Sequence, residues 1–307
     1  MSSEPVRLAD LTTLRVGGPA REYVEVDHDD ELVAVVAAAD RAGTPVLVLG
    51  GGSNLLVADE GFPGTVVAVR TRGVEVSTAD CSGAWLDVAA GESWDELVAR
   101  AVAEGWVGLE TLAGIPGLVG ATPLQNVGAY GGQVADSLAR VRAYDRLARR
   151  RVTLAAADCG FGYRTSRFKA EPGRFVVLGV SLQLGLGPLA APVRYAELAG
   201  ALGVEVGERV PAPAVRAAVL GLRRGKGMVL DPADHDTWSA GSFFTNPVLT
   251  PEQADRLPAA APRFPAPDGQ VKASAAWLIE RAGFGRGHAG PGGAALSGKH
   301  ALALTNR

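Results

Sequence analysis

The sequence predicts an α+β fold, and three observations lead to this prediction. Strand-like and helix-like segments mix along the chain without the strict strand–helix alternation of a parallel α/β sheet. The 307 residues are 47% hydrophobic and 21% charged, which is typical of a chain that folds around a packed core. A chain of this length has room for two or three domains of about 100–150 residues each.

The N-terminal half predicts helices separated by short strands. A first helix begins near Asp29 and ends at Gly43, and residues 45–49 follow as a buried strand. Ser93 and Glu96 have the spacing of a capping box, which predicts the start of a second helix. Further strands are predicted at residues 65–70, 74–78 and 85–90.

The C-terminal half continues this mixture on both sides of a breaker-rich segment at residues 185–192. Pro213 stands in the first turn of one predicted helix, and Ser274 is positioned to cap the last one. The breaker-rich segment is the predicted boundary of a C-terminal domain. Strands are predicted at residues 140–145, 151–154 and 175–184, and helices at residues 195–202, 213–222 and 275–282.

Charge and hydropathy argue against several function classes. A net charge of −3 provides no basic footprint for nucleic acid. No apolar run reaches the roughly 18 residues that cross a bilayer, and the N-terminus lacks the pattern of a secretion signal. The sequence therefore predicts a cytoplasmic protein that binds neither nucleic acid nor a membrane.

The two cysteines and four histidines predict no metal site. Cys81 and Cys159 lie far apart in the sequence, so they are predicted to be reduced, structural thiols. No histidine has a metal-binding spacing; they are His28, His235, His288 and His300.

A glycine-rich turn follows the predicted strand at residues 45–49 and has the composition of an anion-binding loop. Glycines allow positive φ, so successive backbone N–H groups can point at one anion such as a dinucleotide pyrophosphate. The turn matches neither the GxGxxG pattern nor a Walker sequence, and a plain turn between strands is the alternative. The predicted contacts are Gly50, Gly51, Gly52, Ser53, Asn54 and Leu55.

A second glycine-rich segment, residues 114–131, combines small, apolar and amide-bearing residues. Such a surface suits a flavin ring, which has an apolar body and a polar edge. A buried glycine-rich crossover is the alternative. The predicted contacts are Ile115, Pro116, Gly117, Thr122, Gln125, Asn126, Gly128 and Ala129.

Six motifs taken in order resemble those of one enzyme family. They are TLRVGG at residues 13–18, GGGSNLL at 50–56, the segment from 114, GYRTSRF at 162–168, AGSFFTNP at 240–247 and KHAL at 299–302. In this order they resemble the UDP-N-acetylenolpyruvoylglucosamine reductases. The element around Tyr163 looks like the type I form of that family.

The resemblance implies both a fold and an activity. Two FAD-binding parts of the vanillyl-alcohol-oxidase (PCMH) type are expected at residues 1–72 and 73–188, with an α+β substrate domain at residues 189–307. FAD is expected to be bound non-covalently. NADPH would reduce FAD, and the reduced FAD would convert UDP-N-acetylglucosamine enolpyruvate to UDP-N-acetylmuramate, a precursor of peptidoglycan.

The resemblance also implies roles for individual residues. Arg164 is expected to grip the substrate carboxylate, because a guanidinium binds carboxylates bidentately and stays charged. Ser242 matches the family's proton donor. Arg223 and Arg224 are expected to be solvated charges. Substrate contacts are expected at Tyr130, Tyr195, Lys226 and Asn246, and the last two are also candidates to orient Ser242.

The family's pattern continues beyond the residues of this sequence. In the family, one more helix and strand precede a Leu-Glu-Pro-Glu-like segment that supplies a catalytic glutamate, and this sequence contains no such segment. We expect either a C-terminally truncated version of a longer chain or a natural short form. In both cases FAD binding is expected to be retained better than turnover.

Two alternatives to the reductase are left open at this point. One is an FAD-binding remnant with impaired catalysis, and the other is a flavin oxidase of the same superfamily that acts on an alcohol or sugar. A monomer is the default prediction for the oligomeric state.

Overall fold

The computed structural model describes residues 5–79 and 82–307. The first sheet has three parallel strands in the order β1-β3-β2, namely β1 (Ala20–Val26), β2 (Val46–Leu49) and β3 (Phe62–Val69). Helix α1 (Asp29–Ala42) connects β1 to β2 and packs on this sheet. It ends at Gly43, whose φ of 66° is a left-handed conformation that glycine adopts without a Cβ clash.

The second sheet is antiparallel and has six strands. Its strand order is β10-β9-β11-β5-β4, with β6 paired to the end of β11, while β7 and β8 form a separate two-stranded sheet. Side chains along β5 alternate between buried and partly exposed, so one face of the sheet covers the core. The elements are β4 (Val74–Ala79), β5 (Gly83–Ala89), α2 (Trp94–Ala103), β6 (Trp106–Val107), β7 (Gly128–Ala129), β8 (Gly132–Gln133), β9 (Leu138–Asp145), β10 (Arg150–Ala155), α3 (Arg167–Ala170) and β11 (Phe175–Leu186).

Residues 187–307 form four α-helices and two small antiparallel sheets, in the strand orders β12-β17-β16 and β13-β15-β14. Thr13 Oγ1 donates to the carbonyl of Ser239 at 2.7 Å, which ties the N-terminal loop to β12. The elements are α4 (Ala196–Leu202), α5 (Ala212–Gly225), β12 (Ser239–Ser242), β13 (Val248–Leu249), α6 (Pro251–Asp255), β14 (Arg263–Pro265), β15 (Val271–Ala273), α7 (Ala275–Arg281), β16 (Ala294–Leu296) and β17 (Ala303–Asn306). The predicted α+β fold is confirmed.

One hydrophobic core extends from α1 and β3 through the second sheet to α2, α4 and α5. Trp94 at the start of α2 is fully buried, and its indole N–H donates to the carbonyl of Leu112 at 3.2 Å. Ala113 and Val119 belong to the same core, so the first part of the glycine-rich segment that follows α2 is anchored on both sides. This anchoring fixes the backbone on which the candidate site is built.

The two predicted serine caps have different outcomes. Ser274 does cap α7, because its hydroxyl accepts from the backbone N–H of Trp277. The capping box at Ser93 is wrong, since the Ser93 side chain makes no capping hydrogen bond. At this helix start the backbone is joined to the glycine-rich segment: Ser93 forms a β-bridge with Leu118, and Trp94 N–H donates to Gly117 O at 3.1 Å.

Of the two cysteines, Cys159 lies in the part of the chain that the structure describes. Cys159 is buried with a free thiol, and burial raises its pKa to about 11. The prediction for Cys81 falls outside the described residues. Within residues 5–79 and 82–307, no helix is both long and apolar enough to cross a membrane.

A buried carboxylate joins β9 to the segment before β11. Asp145 accepts from Arg174 Nη2 at 2.7 Å and from the backbone N–H groups of Leu147 and Ala148 at 3.0 and 3.1 Å. The Arg174 hydrogen bonds are the largest cause that lowers the pKa of Asp145, to about 2. Because this pKa lies below the ordinary value of about 3.9, ionisation of Asp145 stabilises the folded state.

Replacing Asp145 with asparagine is expected to lower the free energy of unfolding by about 2 kcal/mol at pH 7, because the charge-assisted hydrogen bonds are lost. The wild-type advantage is fully present above pH 4–5 and is lost as the pH falls toward 2, because the folded carboxylate then becomes protonated too. Urea midpoints measured from pH 7 to pH 3 check this expectation. A deficit of the D145N variant that stays constant over that range would contradict it.

Candidate functional site

The two predicted glycine-rich segments lie against each other. A Cβ at Gly51 would lie 2.8 Å from Gly117 Cα, and a Cβ at Gly52, where φ is +61°, would lie 1.9 Å from Leu11 O. Ser53 Oγ donates across the contact to Pro116 O at 3.1 Å. The chain can therefore hold this arrangement only with glycine at positions 51 and 52.

The first glycine-rich turn also contains backbone N–H groups that are available to a ligand. None of the backbone N–H groups of residues 51–55 is bonded to a backbone carbonyl within the described residues. Free N–H groups in consecutive residues are the feature that binds phosphate oxygens in anion-binding turns. The closely approaching backbones and the free donors together fit the pyrophosphate of a dinucleotide cofactor such as FAD.

Gly51→Ala is expected to weaken flavin retention strongly, because the added methyl group must displace the backbone of Gly117. Backbone φ is not strained at this position, so the effect is steric. Gly221→Ala is a matched control, since it lies in α5 and a Cβ there would meet nothing within 4 Å. The flavin content of the purified variants measures the result, and equal content in the two would contradict the expectation.

Polar side chains of the second glycine-rich segment form hydrogen bonds with other groups of the protein. Thr122 Oγ1 donates to Val119 O at 2.8 Å. Asn126 donates to Gln133 and to Gly162 O, and its Oδ1 accepts from Ala135 N–H, so its amide is satisfied on both ends. These residues shape the predicted cofactor surface through the backbone that they hold.

Three of the six non-glycine residues with positive φ in the described part of the chain lie in this region. Asn126 has φ 46°, Tyr130 has φ 48° and Arg164 has φ 55°. Such conformations cost on the order of 1–3 kcal/mol each and are found where surrounding structure requires them, often at functional sites. All three residues belong to the site that the sequence predicts.

The predicted substrate residues Tyr130, Tyr195 and Lys226 come together. The two tyrosine rings meet edge to face at 5.7 Å, and Lys226 Nζ lies 5.4 Å from the Tyr130 ring centroid. Lys226 also pairs with Glu197 Oε2 at 2.6 Å. The sequence analysis assigns no role to Glu197, although this residue lies two positions after Tyr195, in the first turn of α4.

Arg164 is a half-buried guanidinium with backbone partners only. It donates to Asn126 O at 3.4 Å and to Gly128 O, and burial lowers its pKa. It has no carboxylate within 4.0 Å in the described part of the chain, which contrasts with the paired arginines of the second sheet. An unpaired buried cation favours binding of an anion.

Arg223 was predicted to be a solvated charge, and this prediction is wrong. Its Nη2 donates to Met228 O at 2.7 Å, its Nε is buried without a hydrogen-bond partner among the described residues, and burial lowers its pKa to about 10. The last turn of α5 packs on Gly114, where a Cβ would lie 3.4 Å from Nε, so the helix directs Arg223 inward. Arg224, the next residue, is exposed as predicted.

Ser242 ends β12 and forms a pair with a histidine that has no role in the sequence prediction. Its Oγ lies 3.0 Å from His300 Nε2, across 58 residues of sequence. Asn246, predicted to help orient Ser242, uses its Oδ1 to accept from Ala275 N–H at the start of α7. The partner that the structure assigns to Ser242 is therefore His300.

A cavity of about 270 Å³ lies beside Lys226 and His300. Its polar lining is formed by Glu197, Lys226, Glu280, Arg286, Lys299 and His300. A larger cavity of about 500 Å³ lies between α2 and α5, and its lining contains no residue of the predicted site. Within the described ranges, no group of three or more histidine, cysteine or acidic side chains is placed to hold a metal ion.

Comparison with known proteins places these features in a family. A protein-family model described as "FAD binding domain" matches residues 20–149. A second, described as "UDP-N-acetylenolpyruvoylglucosamine reductase, C-terminal domain", matches residues 231–307. The two matches cover the glycine-rich turn and the Ser242–His300 pair, respectively.

Similar whole proteins carry the same description. The UDP-N-acetylenolpyruvoylglucosamine reductase of Cutibacterium acnes is 58% identical over 99% of this chain and 81% of its own length. That of Streptomyces coelicolor is 56% identical over 98% of this chain and 80% of its own length. The crystal structure of the Thermus caldophilus enzyme has a TM-score of 0.63 at 29% identity, covering 100% of this chain and 88% of that one. The chain therefore belongs to the UDP-N-acetylenolpyruvoylglucosamine reductase family.

Proposed function

We propose that this protein reduces UDP-N-acetylglucosamine enolpyruvate to UDP-N-acetylmuramate, with FAD as its cofactor and NADPH as the reductant, in the synthesis of peptidoglycan precursors. The observation that carries the proposal is the contact of the Ser242 hydroxyl with His300, which lines a cavity together with Lys226 and whose pKa the cations Lys226 and Arg223 lower. An enolpyruvyl ether has a carboxylate next to the carbon that must gain a proton, so its reduction needs both kinds of group.

The cofactor would be held by the two glycine-rich segments. The free N–H groups of residues 51–55 suit its pyrophosphate, and residues 115–129 supply the closely approaching backbone for its ring. When bound, FAD supplies the hydride that it has received from NADPH. The protein contributes shape and hydrogen bonds, and covalent attachment is not proposed.

Arg164 would bind the substrate carboxylate. Its guanidinium is half-buried and unpaired within the described residues, so a carboxylate that enters regains the interaction that the protein does not provide. Negative charge that spreads into this carboxylate during reduction would be stabilised by the same contact. Arg223 lies close enough for the two guanidinium charges to influence each other, and it strengthens the positive potential.

Lys226 and the two tyrosines would bind the rest of the substrate. Tyr130 and Tyr195 offer flat, partly buried rings, and burial raises the pKa of both hydroxyls, so each stays neutral. Lys226 is held by Glu197 and is available to an incoming phosphate group at the edge of the cavity. Asn246 would contribute its side-chain NH2 group, because its Oδ1 already accepts from Ala275 N–H at the start of α7.

Ser242 would supply the proton. A serine hydroxyl is a weak acid in water, so proton donation needs a site in which the charge left on Oγ is stabilised as it forms. Lys226 is one source of positive potential, because its charge also acts on the neighbouring His300. We further propose that the enzyme works as a cytoplasmic monomer without a nucleic-acid or membrane partner, where NADPH and nucleotide sugars are available.

Steady-state turnover tests the proposed function. The purified flavoprotein is given NADPH with and without UDP-N-acetylglucosamine enolpyruvate, while NADPH oxidation, hydrogen peroxide and product mass are recorded. We expect NADPH oxidation that depends on the substrate, a product two mass units heavier than the substrate, and no stoichiometric peroxide. Substrate-independent oxidation with one peroxide per NADPH would favour a flavin oxidase instead.

A further inference from the structure

The position of His300 is set by backbone hydrogen bonds of the β12-β17-β16 sheet. Phe243 N–H, next to Ser242, donates to Leu302 O at 2.8 Å, and Ser242 is the register partner of Ala303. The turn that carries His300 is closed by Ala303 N–H donating to the His300 carbonyl at 3.1 Å. The 3.0 Å contact between imidazole and hydroxyl is therefore a consequence of strand register.

Hydrogen bonds to a buried serine and an ion pair also hold the turn that carries His300. Ser297 Oγ accepts from the backbone N–H groups of Lys299 and His300 at 3.0 and 3.2 Å, and Ser297 itself is fully buried. Lys299 is held by its ion pair with Asp234 at 2.5 Å. With its own backbone N–H bonded and the preceding Lys299 held, the imidazole of His300 is directed toward Ser242.

The charges around His300 favour its neutral form. Burial is the largest cause that lowers its pKa, and the positive charges of Lys226, Arg286 and Arg223 lower it further, while Glu197 acts in the opposite direction. The other charged groups that line the same cavity are Glu280 and Lys299. A neutral imidazole has one N–H donor and one acceptor nitrogen.

We propose that His300 is a positioning residue for proton donation by Ser242, which it assists by donating a hydrogen bond from Nε2 to Oγ. This inference rests on the function proposed above. A hydroxyl has one hydrogen and two lone pairs. When His300 donates into one lone pair, the hydroxyl hydrogen is left free to point at the reacting carbon of the substrate.

The proton-transfer step balances without a change in the protonation of His300. The Oγ–H bond breaks, the electron pair on the substrate carbon forms the new C–H bond, and negative charge moves from that carbon to Oγ. The Nε2–H group, already in place, stabilises the resulting alkoxide in the manner of an oxyanion donor. Solvent returns a proton to Oγ after the product leaves.

The role is tested by half-reactions of His300 variants. H300L and H300A lack a donor, whereas H300Q carries an amide N–H that reaches a similar position. Each flavoprotein is reduced by NADPH without oxygen and then mixed with the substrate, and flavin absorbance follows both steps. The exposed His28 provides a matched control as H28L.

We expect H300L and H300A to slow substrate-dependent reoxidation by about 10²-fold, the effect of losing one oxyanion donor. H300Q should recover to within about tenfold of the wild type, and flavin reduction by NADPH should change less than about threefold in every variant. Reoxidation of H300L and H300A at the wild-type rate, or H300Q as slow as H300L, would overturn the proposal. A wild type that the substrate does not reoxidise would instead refute the proposed function itself.

Discussion

Replacing Ser242 with alanine is expected to slow substrate reduction on the order of 10²–10⁴-fold, which is the usual contribution of a positioned proton donor. The substitution removes the hydroxyl whose oxygen lies 3.0 Å from His300 Nε2, while the glycine-rich segments and their backbone contacts are untouched. Stopped-flow measurement of flavin reoxidation by the substrate detects the loss, and flavin reduction by NADPH should stay close to the wild-type rate.

Ser82→Ala is the matched control for this prediction, because Ser82 is exposed and has no part in the site. Its two half-reactions should equal those of the wild type. If S242A reoxidises as fast as S82A, then Ser242 does not donate the proton, and another group must do so.

Replacing Arg164 with methionine is expected to lower kcat/KM by roughly 10²–10³-fold, because a desolvated substrate carboxylate loses its charged partner. Methionine preserves much of the apolar length of the side chain, so the loss reports on charge and hydrogen bonding. Arg164→Lys should recover only part of the activity, since an ammonium group cannot form the bidentate contact. Steady-state kinetics with varied substrate concentration measures the effect.

Arg224→Met serves as the control for the charge itself, because it removes one positive charge from an exposed residue outside the site. Its kcat/KM should lie within about twofold of the wild type. Equal losses in R164M and R224M would mean that only the general positive potential matters, and would contradict a specific carboxylate contact.

Local sequence patterns predicted much of the fold, because they depend on neighbouring residues. The helix predicted at residues 213–222 is the core of α5 (Ala212–Gly225), and Ser274 caps α7 as its spacing indicates. Ser93 has an equally good local pattern, but its side chain makes no capping hydrogen bond, and the helix start is joined to the glycine-rich segment through Trp94 N–H and Gly117 O. That contact involves a segment more than twenty residues away, which local spacing does not reveal.

The candidate site also combines features that local sequence reveals with contacts that only the tertiary fold creates. Each glycine-rich segment is recognisable alone, but the contact between Gly51 and Gly117 requires the tertiary fold. The burial of Arg223 depends on how α5 packs against Gly114, and a run of two arginines at a helix end usually indicates solvated charges. The pairing of Ser242 with His300 depends on the register of β12 with β17.

The central claim is that this chain transfers a hydride from NADPH to an enolpyruvyl substrate and completes the reduction with a proton from its own site. A single anaerobic turnover in D₂O tests this claim most directly. The flavoprotein is reduced with one equivalent of NADPH and mixed with UDP-N-acetylglucosamine enolpyruvate, and the product is analysed by mass spectrometry and NMR.

The predicted result is that the substrate reoxidises the flavin without oxygen and yields one UDP-N-acetylmuramate per flavin. That product should carry solvent deuterium at the carbon next to the carboxylate, where a donor in exchange with solvent delivers its proton. A flavin that stays reduced until air is admitted, with the enolpyruvyl compound recovered unchanged, would contradict the account.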